Sequence, residues 1–372
     1  MEDDYEPITI HHYFYSLLAF VFVWGSLWVG TSGVKIARSW HGESSQNNFS
    51  FSSQFSQNNL SAIADYNRDL DKKKLLAQSS QALATNSPVP TSTLKIMIAG
   101  DLMLDRGVRL LGEKYGYDSL FATVTPLFKS ADIVVVNLEG PITSNKSKTV
   151  IGKNKTGPAM QFTFDPKSTS AIANAGISVV SLANNHADNF GLSGIAETKK
   201  WLSENGIQWF GDYRNSSSTE LVISKNGINV AFVGYHAFQK GFDRVTASVK
   251  ELNDQGNFVI VMPHWGEEYA TTTTSLVRSQ ARELVAAGAD AIVGSHPHVI
   301  QEKVWMGDVP VIYSLGNLLF DQYFSKDVMK GNIVEFKLVK SGGKVSIDKS
   351  NIYETSIASK KWIDLDPFPV DF

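Results

Sequence analysis

"LKIMIAGD", residues 94–101, shows the local pattern from which the fold of this chain can be predicted. Its apolar residues include two β-branched isoleucines, and the charged residue Asp101 follows directly after a glycine. A short apolar run of this kind is typical of a strand that is buried on both faces. We therefore predict a buried strand that ends where Asp101 begins a polar turn.

The same pattern occurs seven times along the chain. In each case a short, β-rich apolar run ends and polar residues follow at once. The residues that follow the runs are Asp101, Asn137-Leu138-Glu139, Asn184-Asn185-His186, Tyr235-His236, His264, His296-Pro297-His298 and Asn317. The regular recurrence predicts a sheet in which several strands end on polar side chains.

Stretches with a helical pattern alternate with these runs, at about 119–129, 166–175, 192–205 and 275–287. Strands that alternate with helices indicate an α/β domain with parallel strands. The later segment 332–347 reads as a β-hairpin that turns at Gly342-Gly343. We therefore predict an α/β sandwich with mixed sheets.

The polar residues at the strand ends are candidates for one shared site. In open α/β sheets, ligands bind at the carboxyl ends of the strands. Five of the eight histidines follow an apolar run, and the other three flank the apolar N-terminal segment. The alternative is structural, because loops begin at strand ends and carry polar residues in any case. His296 and His298 can reach the same point, since Pro297 stiffens the turn between them.

Composition narrows the chemistry. The chain has 372 residues, a formal net charge of −3 and no cysteine. Disulfides, zinc–thiolate sites and cysteine nucleophiles are therefore excluded. No basic block interleaves with aromatic residues, so no nucleic acid is expected as a partner. A metal would be held by His, Asp, Glu and Asn, a set that suits manganese, iron or zinc.

The N-terminal part predicts a membrane anchor. Residues 13–30 carry no charge and are long enough to nearly span a hydrocarbon core of about 30 Å. A cleaved signal peptide fits less well, because no basic segment precedes the run; a buried core helix is the other alternative. We expect a short tail at 1–12, an anchor at 13–31, a polar stalk at 32–93, the main domain at 94–355 and a C-terminal tail at 356–372.

Orientation in the membrane is indicated by two opposing arguments. Lys35 and Arg38 follow the span and an acidic segment precedes it. The positive-inside rule then places the C-terminal side in the cytoplasm, although two charges are a weak bias. We expect the opposite, an extracellular domain on a single-pass anchor, on the strength of the resemblance described next.

Six motifs follow one another along the chain: GDLMLDRGV (100–108), NLEGPIT (137–143), NNHADNFGLSG (184–194), PHWGEEY (263–269), GADAIVGSHPHVIQ (288–301) and YSLGNLLFD (313–321). In this order they resemble the motifs of the CapA family of capsule synthesis proteins, which are associated with poly-γ-glutamate. The resemblance extends over about residues 95–352. It implies a fold similar to that of the calcineurin-like metallophosphoesterases.

This resemblance also implies roles for individual residues. His186 would be the general acid, and the metal ligands would be Asp101, Glu139, Asn185, His264, His296 and His298. The chain departs from the phosphoesterase pattern in two places: Met103 stands where a histidine is usual, and Asn137-Leu138-Glu139 replaces a Gly-Asp pair. Both departures fall at positions expected to hold metal, so they affect how many metal ions are expected and whether the substrate is a phosphoester.

Three further residues are candidates for contact with substrate. Arg106 is a cation for an anionic substrate or one half of a structural ion pair, while Asn184 and Asn317 follow strand ends. The expected function is capsule synthesis or export with a hydrolase-type metal site. Its partners would be a polyanionic polymer or a phosphoester, the membrane and a membrane-bound capsule synthase complex. The alternatives are a metal-dependent phosphoesterase, polymer hydrolase or amidase unrelated to capsule export, and a non-catalytic factor that binds polyanions.

Overall fold

The computed structural model describes residues 68–69, 71–75, 92–148, 161–215 and 219–372. The chain divides into two units, Met1–Ala82 and Leu83–Phe372. In the first unit, the described residues are helical and exposed. The second unit carries the whole of the sheet structure given below. None of the described helices is long and apolar enough to cross a membrane, and the predicted anchor at 13–31 lies outside the described residues.

The first sheet is mixed and is built around β1, the strand with which the sequence pattern begins. Four of its strands run parallel in the order β1-β2-β3-β4, and a long hairpin adds antiparallel strands on the other side of β1. Its elements are β1 (Ser92–Leu102), β2 (Ile133–Leu138), β3 (Val179–Ser181), β4 (Gln208–Phe210), β11 (Asn317–Leu319), β12 (Lys330–Ser341), β13 (Lys344–Ser356), β14 (Asp364–Leu365) and β15 (Val370–Asp371).

The second sheet has the order β5-β6-β7-β8-β10-β9, with four parallel strands in its centre and an antiparallel strand at each edge. Its strands are β5 (Glu220–Lys225), β6 (Ile228–His236), β7 (Phe258–His264), β8 (Ala291–Val293), β9 (Lys303–Met306) and β10 (Val309–Ile312). The predicted α/β sandwich with mixed sheets is thus confirmed.

Helices cover the outer faces of both sheets. They are α1 (Arg106–Tyr115), α2 (Thr125–Phe128), α3 (Lys167–Asn174), α4 (Gly191–Glu204), α5 (Phe242–Asp254) and α6 (Ser275–Ala287), with a 3₁₀ turn at Tyr117–Phe121. The first four α-helices and the 3₁₀ turn accompany the first sheet, and α5 and α6 pack on the second. The layers therefore run helix, sheet, sheet, helix.

Alternation along β1 shows how the two sheets share a core. Ile96 and Ile98 point into the apolar layer between the sheets, whereas Met97 and Ala99 face the helices. Successive side chains of a strand point to opposite faces, so a strand with apolar residues at every position must be covered on both. Each fully buried Ile or Val side chain contributes about 1.5–3 kcal/mol. The uninterrupted apolar runs are the cause of the four layers.

Several boundaries differ from those predicted. The helix expected at 119–129 is broken into the 3₁₀ turn and α2, because Pro126 has no N–H to continue a helix from the preceding turn. Helices α1 and α5 were not predicted. The hairpin at Gly342-Gly343 is confirmed. The sheet begins at Ser92, and the segment predicted as a C-terminal tail contributes β14 and β15 to its edge.

Candidate metal centre

The polar residues that follow the apolar runs meet where the carboxyl ends of both sheets come together. Parallel strands in one register end at the same edge, and here two such edges face each other. The first sheet brings Asp101, Asn137, Glu139, Asn184 and Asn185, and the second brings His236, His264, Ser295, His296 and His298. One cluster therefore contains side chains from six strand ends.

Asn137 holds the centre of the cluster together. Its Nδ2 donates to Asp101 Oδ1 at 2.8 Å and lies 3.3 Å from His264 Nδ1. Its Oδ1 accepts from Asn184 Nδ2 at 3.0 Å. One buried amide thus fixes a carboxylate of the first sheet and a histidine of the second. Asn137 was not among the predicted site residues, although its position directly after an apolar run is the same signal that identified the others.

His298 lies between two carboxylates and an amide. Its Nδ1 is 3.2 Å from Asp101 Oδ2 and 3.0 Å from Asn317 Oδ1, and its Nε2 is 3.5 Å from Glu139 Oε1. Burial lowers the pKa of His298, but the charges of Glu139 and Asp101 outweigh burial and raise it to about 9. Without a metal, this histidine is the cation that faces the two acids.

Glu139 is the most informative residue of the cluster. Its side chain is 0% exposed, and neither carboxylate oxygen has a hydrogen-bond partner among the described residues. Burial raises the pKa of Glu139 well above its usual value, although nearby His298 opposes the shift. Buried polar groups are almost always bonded, and a buried carboxylate without partners is costly unless a cation lies against it. The Glu139 carboxylate is therefore a candidate ligand for a divalent cation.

Asn185, His264 and His296 form the second part of the cluster. Nε2 of His264 lies 2.9 Å from Asn185 Oδ1 and 3.1 Å from His296 Nδ1, so three potential ligand atoms converge. Burial lowers the pKa of His264 well below its usual value and that of His296 to about 4. Both imidazoles are therefore neutral at pH 7, the form in which histidine binds a metal.

Ligand atoms of Asp101, Glu139 and His264 also lie within 4.8 Å of one another, which joins the two parts of the cluster. Ser295 Oγ lies 3.0 Å from His264 Nδ1, so this nitrogen is bonded within the protein, and Nε2 is the ring atom that faces Asn185 and His296. The donors are oxygen and imidazole nitrogen, so the set fits manganese, iron or zinc, as predicted from composition.

The backbone around His296 and His298 is unusual. Their φ angles are 99° and 58°, both in the left-handed region that favours glycine. The intervening Pro297 cannot adopt a positive φ. Alternating handedness turns both imidazoles inward, so that their ring centroids are 6.0 Å apart. Strain of this kind is typical of functional sites.

His186, the predicted general acid, lies at the rim and is only partly buried. Its Nδ1 is 3.0 Å from Asn189 Oδ1, and its ring packs on Phe162 at 4.3 Å. Asn189 Oδ1 already accepts the N–H of Phe162, so it acts as the acceptor of His186 Nδ1–H as well. The free nitrogen for proton transfer is then Nε2. Burial lowers the pKa of His186.

The three residues predicted to contact substrate are placed differently. Asn184 and Asn317 are 0% and 1% exposed. The amide nitrogen of Asn317 donates to the backbone oxygens of His298 and Val328 and to Gln322 Oε1. These hydrogen bonds orient Asn317 so that its Oδ1 faces the imidazole of His298. These two amides position other site residues. Arg106 forms an ion pair with Asp321, the structural alternative considered for it.

Comparison with known proteins places the cluster in a family context. The family model described as bacterial capsule synthesis protein PGA_cap matches residues 95–322, a range that contains the cluster. The chain is 30% identical over 288 residues to the PGA biosynthesis protein CapA of Bacillus subtilis, covering 72% of this chain and 74% of that protein. It is 29% identical over 286 residues to the capsule biosynthesis protein CapA of Bacillus anthracis, covering 71% and 69%.

A solved structure is also similar to this chain. The calcineurin-like phosphoesterase YfkN from Bacillus subtilis superposes with a TM-score of 0.45 at 15% identity. The superposition covers 73% of this chain and 92% of that one.

Proposed function

Because the chain belongs to the bacterial capsule synthesis protein family, we propose that it serves the synthesis or export of a poly-γ-glutamate-like capsule. We further propose that its cluster is a divalent-metal site of the hydrolase type. The observation that carries this second step is the Glu139 carboxylate, which is fully buried with both oxygens unpartnered. A cation bound beside it would offset that cost.

Two sets of residues would hold metal. Asp101, Glu139 and His298 form one set, and Asn185, His264 and His296 form the other. Met103, at the position where the phosphoesterase pattern has histidine, is buried and offers only a thioether. The first set is therefore the poorer in nitrogen ligands. A divalent ion held by such donors acts as a Lewis acid and lowers the pKa of bound water.

The chain's own residues would supply binding and proton transfer. His186 is neutral at pH 7, and its Nδ1 is committed to Asn189, so that Nε2 can take up a proton and return it to a leaving group. Asn137, Asn184 and Asn317 orient the ligands through buried amides. The reaction that this arrangement suits is hydrolysis of a phosphoester or of a capsule-polymer bond.

A non-catalytic role is the second candidate. In it, the same cleft would bind a polyanionic polymer or an assembly partner such as a membrane-bound synthase complex. The presence of Met103 in place of a histidine favours this candidate. The two candidates differ in one result, which is whether capsule production requires the proton-transfer residue His186.

We also propose that residues 13–31 anchor the protein in the cell membrane with the main domain outside. Protease treatment of intact cells tests this orientation. Loss of the domain signal, with a cytoplasmic marker intact, supports it. Survival of the domain until the cells are lysed would contradict it.

The metal site is tested by metal analysis of the purified protein. We expect the wild type to retain manganese, iron or zinc after dialysis, and Asp101→Asn and His298→Ala to lose most of it. Glu251→Gln, an exposed acid on α5, is the matched control and should retain the metal. A wild type that binds no divalent ion would overturn the proposal. Capsule production by His186→Ala cells then separates the catalytic candidate from the assembly candidate.

A further inference from the structure

One histidine of the cluster is not among the metal ligands proposed above. His236 ends β6, and the parallel register of β6 and β7 places it next to His264. Their ring centroids are 6.4 Å apart at an interplanar angle of 86°. His236 therefore borders the Asn185–His264 side of the cluster.

Hydrogen bonding within the fold does not explain the imidazole of His236. The residue is 5% exposed, and its Nδ1 is buried without a hydrogen-bond partner among the described residues. Buried polar atoms in native proteins nearly always have a partner, and exceptions require a reason. An apolar side chain of the same size would fill this position without that cost, so packing alone does not explain a histidine here.

Aromatic edges hold the ring in place. Tyr213 contacts it at 4.8 Å and Phe238 at 5.6 Å, both in edge-to-face geometry. Phe238 is 49% exposed and packs on His296 at 4.5 Å as well. His236 and the candidate ligand His296 thus share one aromatic wall at the mouth of the cluster.

The same wall carries an ion pair. Arg214 lies over the Tyr213 ring at 5.8 Å and is paired with Asp188. Asp188 neutralises this guanidinium, so the group left to bind a ligand on this side is the imidazole of His236. A hydrogen-bond donor beside the metal ligands is suited to an oxyanion, that is, a phosphate or a carboxylate.

The tautomer of His236 follows from its surroundings. An orphaned acceptor costs less than an orphaned N–H, since buried unpaired N–H groups are the rarer of the two in proteins. The proton is therefore assigned to Nε2, which leaves Nε2–H as a neutral donor. A neutral donor that is held rigid in a buried site can stabilise negative charge on a bound oxygen without reorganisation.

We propose that His236 is a substrate-contacting residue that donates a hydrogen bond to an anionic oxygen bound on the Asn185–His264 side of the cluster. This inference rests on the proposed metal site. It adds a residue outside the ligand set and assigns the substrate an oxyanion group at this point.

Binding of inorganic phosphate and of glutarate to the manganese-loaded protein tests the inference, with the two anions distinguishing a phosphate from a carboxylate. We expect His236→Phe to weaken at least one of them roughly 10- to 100-fold, the range for a lost hydrogen bond to a charged group. His236→Gln should recover part of the affinity. Manganese content and the melting temperature in chelator should stay at the wild-type level for His236→Gln.

Tyr235→Phe is the matched control. Tyr235 lies next to His236 on the same strand but belongs to the core under α5, and its hydroxyl accepts from Gln280 Nε2. This variant loses one hydrogen bond without touching the cluster, so both anions should bind as they do to the wild type.

Each outcome decides between the proposals. Unchanged binding of both anions by His236→Phe and His236→Gln, with manganese retained, would refute the role of His236 and leave the metal site intact. Loss of manganese from His236→Gln would also refute it, because His236 would then be a ligand or a structural residue. A wild type that binds neither manganese nor anion refutes the metal site itself.

Discussion

At the scale of single residues, the cluster is organised by how its polar atoms are satisfied. Three side-chain amides, those of Asn137, Asn184 and Asn317, form hydrogen bonds with neighbouring residues, so their positions are fixed before any ligand binds. Glu139 is the opposite case, with two buried oxygens and no partner. A buried carboxylate without a hydrogen bond, opposed only by the His298 imidazolium 3.5 Å away, lowers the stability of the metal-free protein, and a bound cation would recover that loss.

Replacing Glu139 by Gln tests this balance. In chelator at pH 8 we expect the variant to be at least as stable as the wild type, with a gain of up to about 1–3 kcal/mol, because the desolvation cost of a buried carboxylate without hydrogen-bond partners is removed. On addition of manganese, the wild type should gain far more in melting temperature than the variant. Thermal melts with and without metal measure both effects.

Glu335→Gln is the control for a buried glutamate that does have partners. Glu335 is 6% exposed, accepts from Asn351 Nδ2 at 2.7 Å and faces Lys95 Nζ at 3.5 Å. We expect this variant to lose stability in chelator and to keep the full metal-dependent gain. A Glu139→Gln protein that behaves in the same way would contradict the interpretation of Glu139.

At the scale of elements, the cluster depends on how closely β1 approaches the segment before β11. A Cβ on Gly100 would lie 1.9 Å from the carbonyl oxygen of Gly316. The same carbonyl accepts the N–H of Asp101 at 3.1 Å. The position of the Asp101 carboxylate is therefore set by a contact that only glycine permits at residue 100.

We expect Gly100→Ala to cost about 3 kcal/mol or more, since the clash is with backbone and cannot be relieved by a rotamer change. Urea denaturation measures the loss, and a metal titration should show weaker binding because Asp101 is displaced. Gly256→Ala is the control: its new Cβ meets nothing within 4 Å and only the φ of 81° is strained. That variant should lose about 1–2 kcal/mol and keep its metal affinity.

At the scale of the whole molecule, the site exists because two sheets end at one place. The first sheet supplies mainly acids and amides, and the second supplies mainly histidines. Folding buries both sets together, and burial keeps three histidines of the second sheet neutral: the pKa values of His236 and His296 fall to about 4, and that of His264 falls well below its usual value. Stability of the metal-free protein must therefore depend on pH.

The sign of that dependence follows from the direction of each shift. His186, His236, His264 and His296 have lowered pKa values, so their contribution is present above the unfolded value of about 6.5 and is lost towards pH 4. Glu139 opposes this trend, because its raised pKa favours the folded state at low pH, but it is one group against four. The raised pKa of His298 adds a loss as pH rises through about 9.

We therefore expect the unfolding free energy in chelator to be greatest near about pH 6.5–7, to fall steadily from about pH 6.5 to 4 and to fall again as the pH rises from about 7 to 9. Urea denaturation across this range measures it. The His236→Gln variant should show a shallower acid limb, since one of the four groups is gone. An unfolding free energy that rises as the pH falls from 6.5 to 4.5 would contradict the neutral state of the buried histidines.

The sequence by itself determined the class of the fold and most residues of the cluster, although not Asn137 and Ser295. Uninterrupted apolar runs such as 96–100 can be buried only as strands covered on both faces, and polar residues directly after each run must lie at strand ends. Family membership followed in the same way, from ordered motifs that the comparisons then confirmed. Local pattern is sufficient for these features because they depend on residues that are near one another in the chain.

Tertiary structure alone decided how the residues are used. The division of similar runs between two sheets and the pairing of Arg106 with Asp321 depend on contacts between distant segments. The same is true of the turning of Asn317 towards His298 and of the orphaned oxygens of Glu139. A carboxylate after a strand looks the same in sequence whether it is solvated or buried, because burial and hydrogen-bond partners are set by distant segments, as in the contact between Asp101 and His296, 195 residues apart.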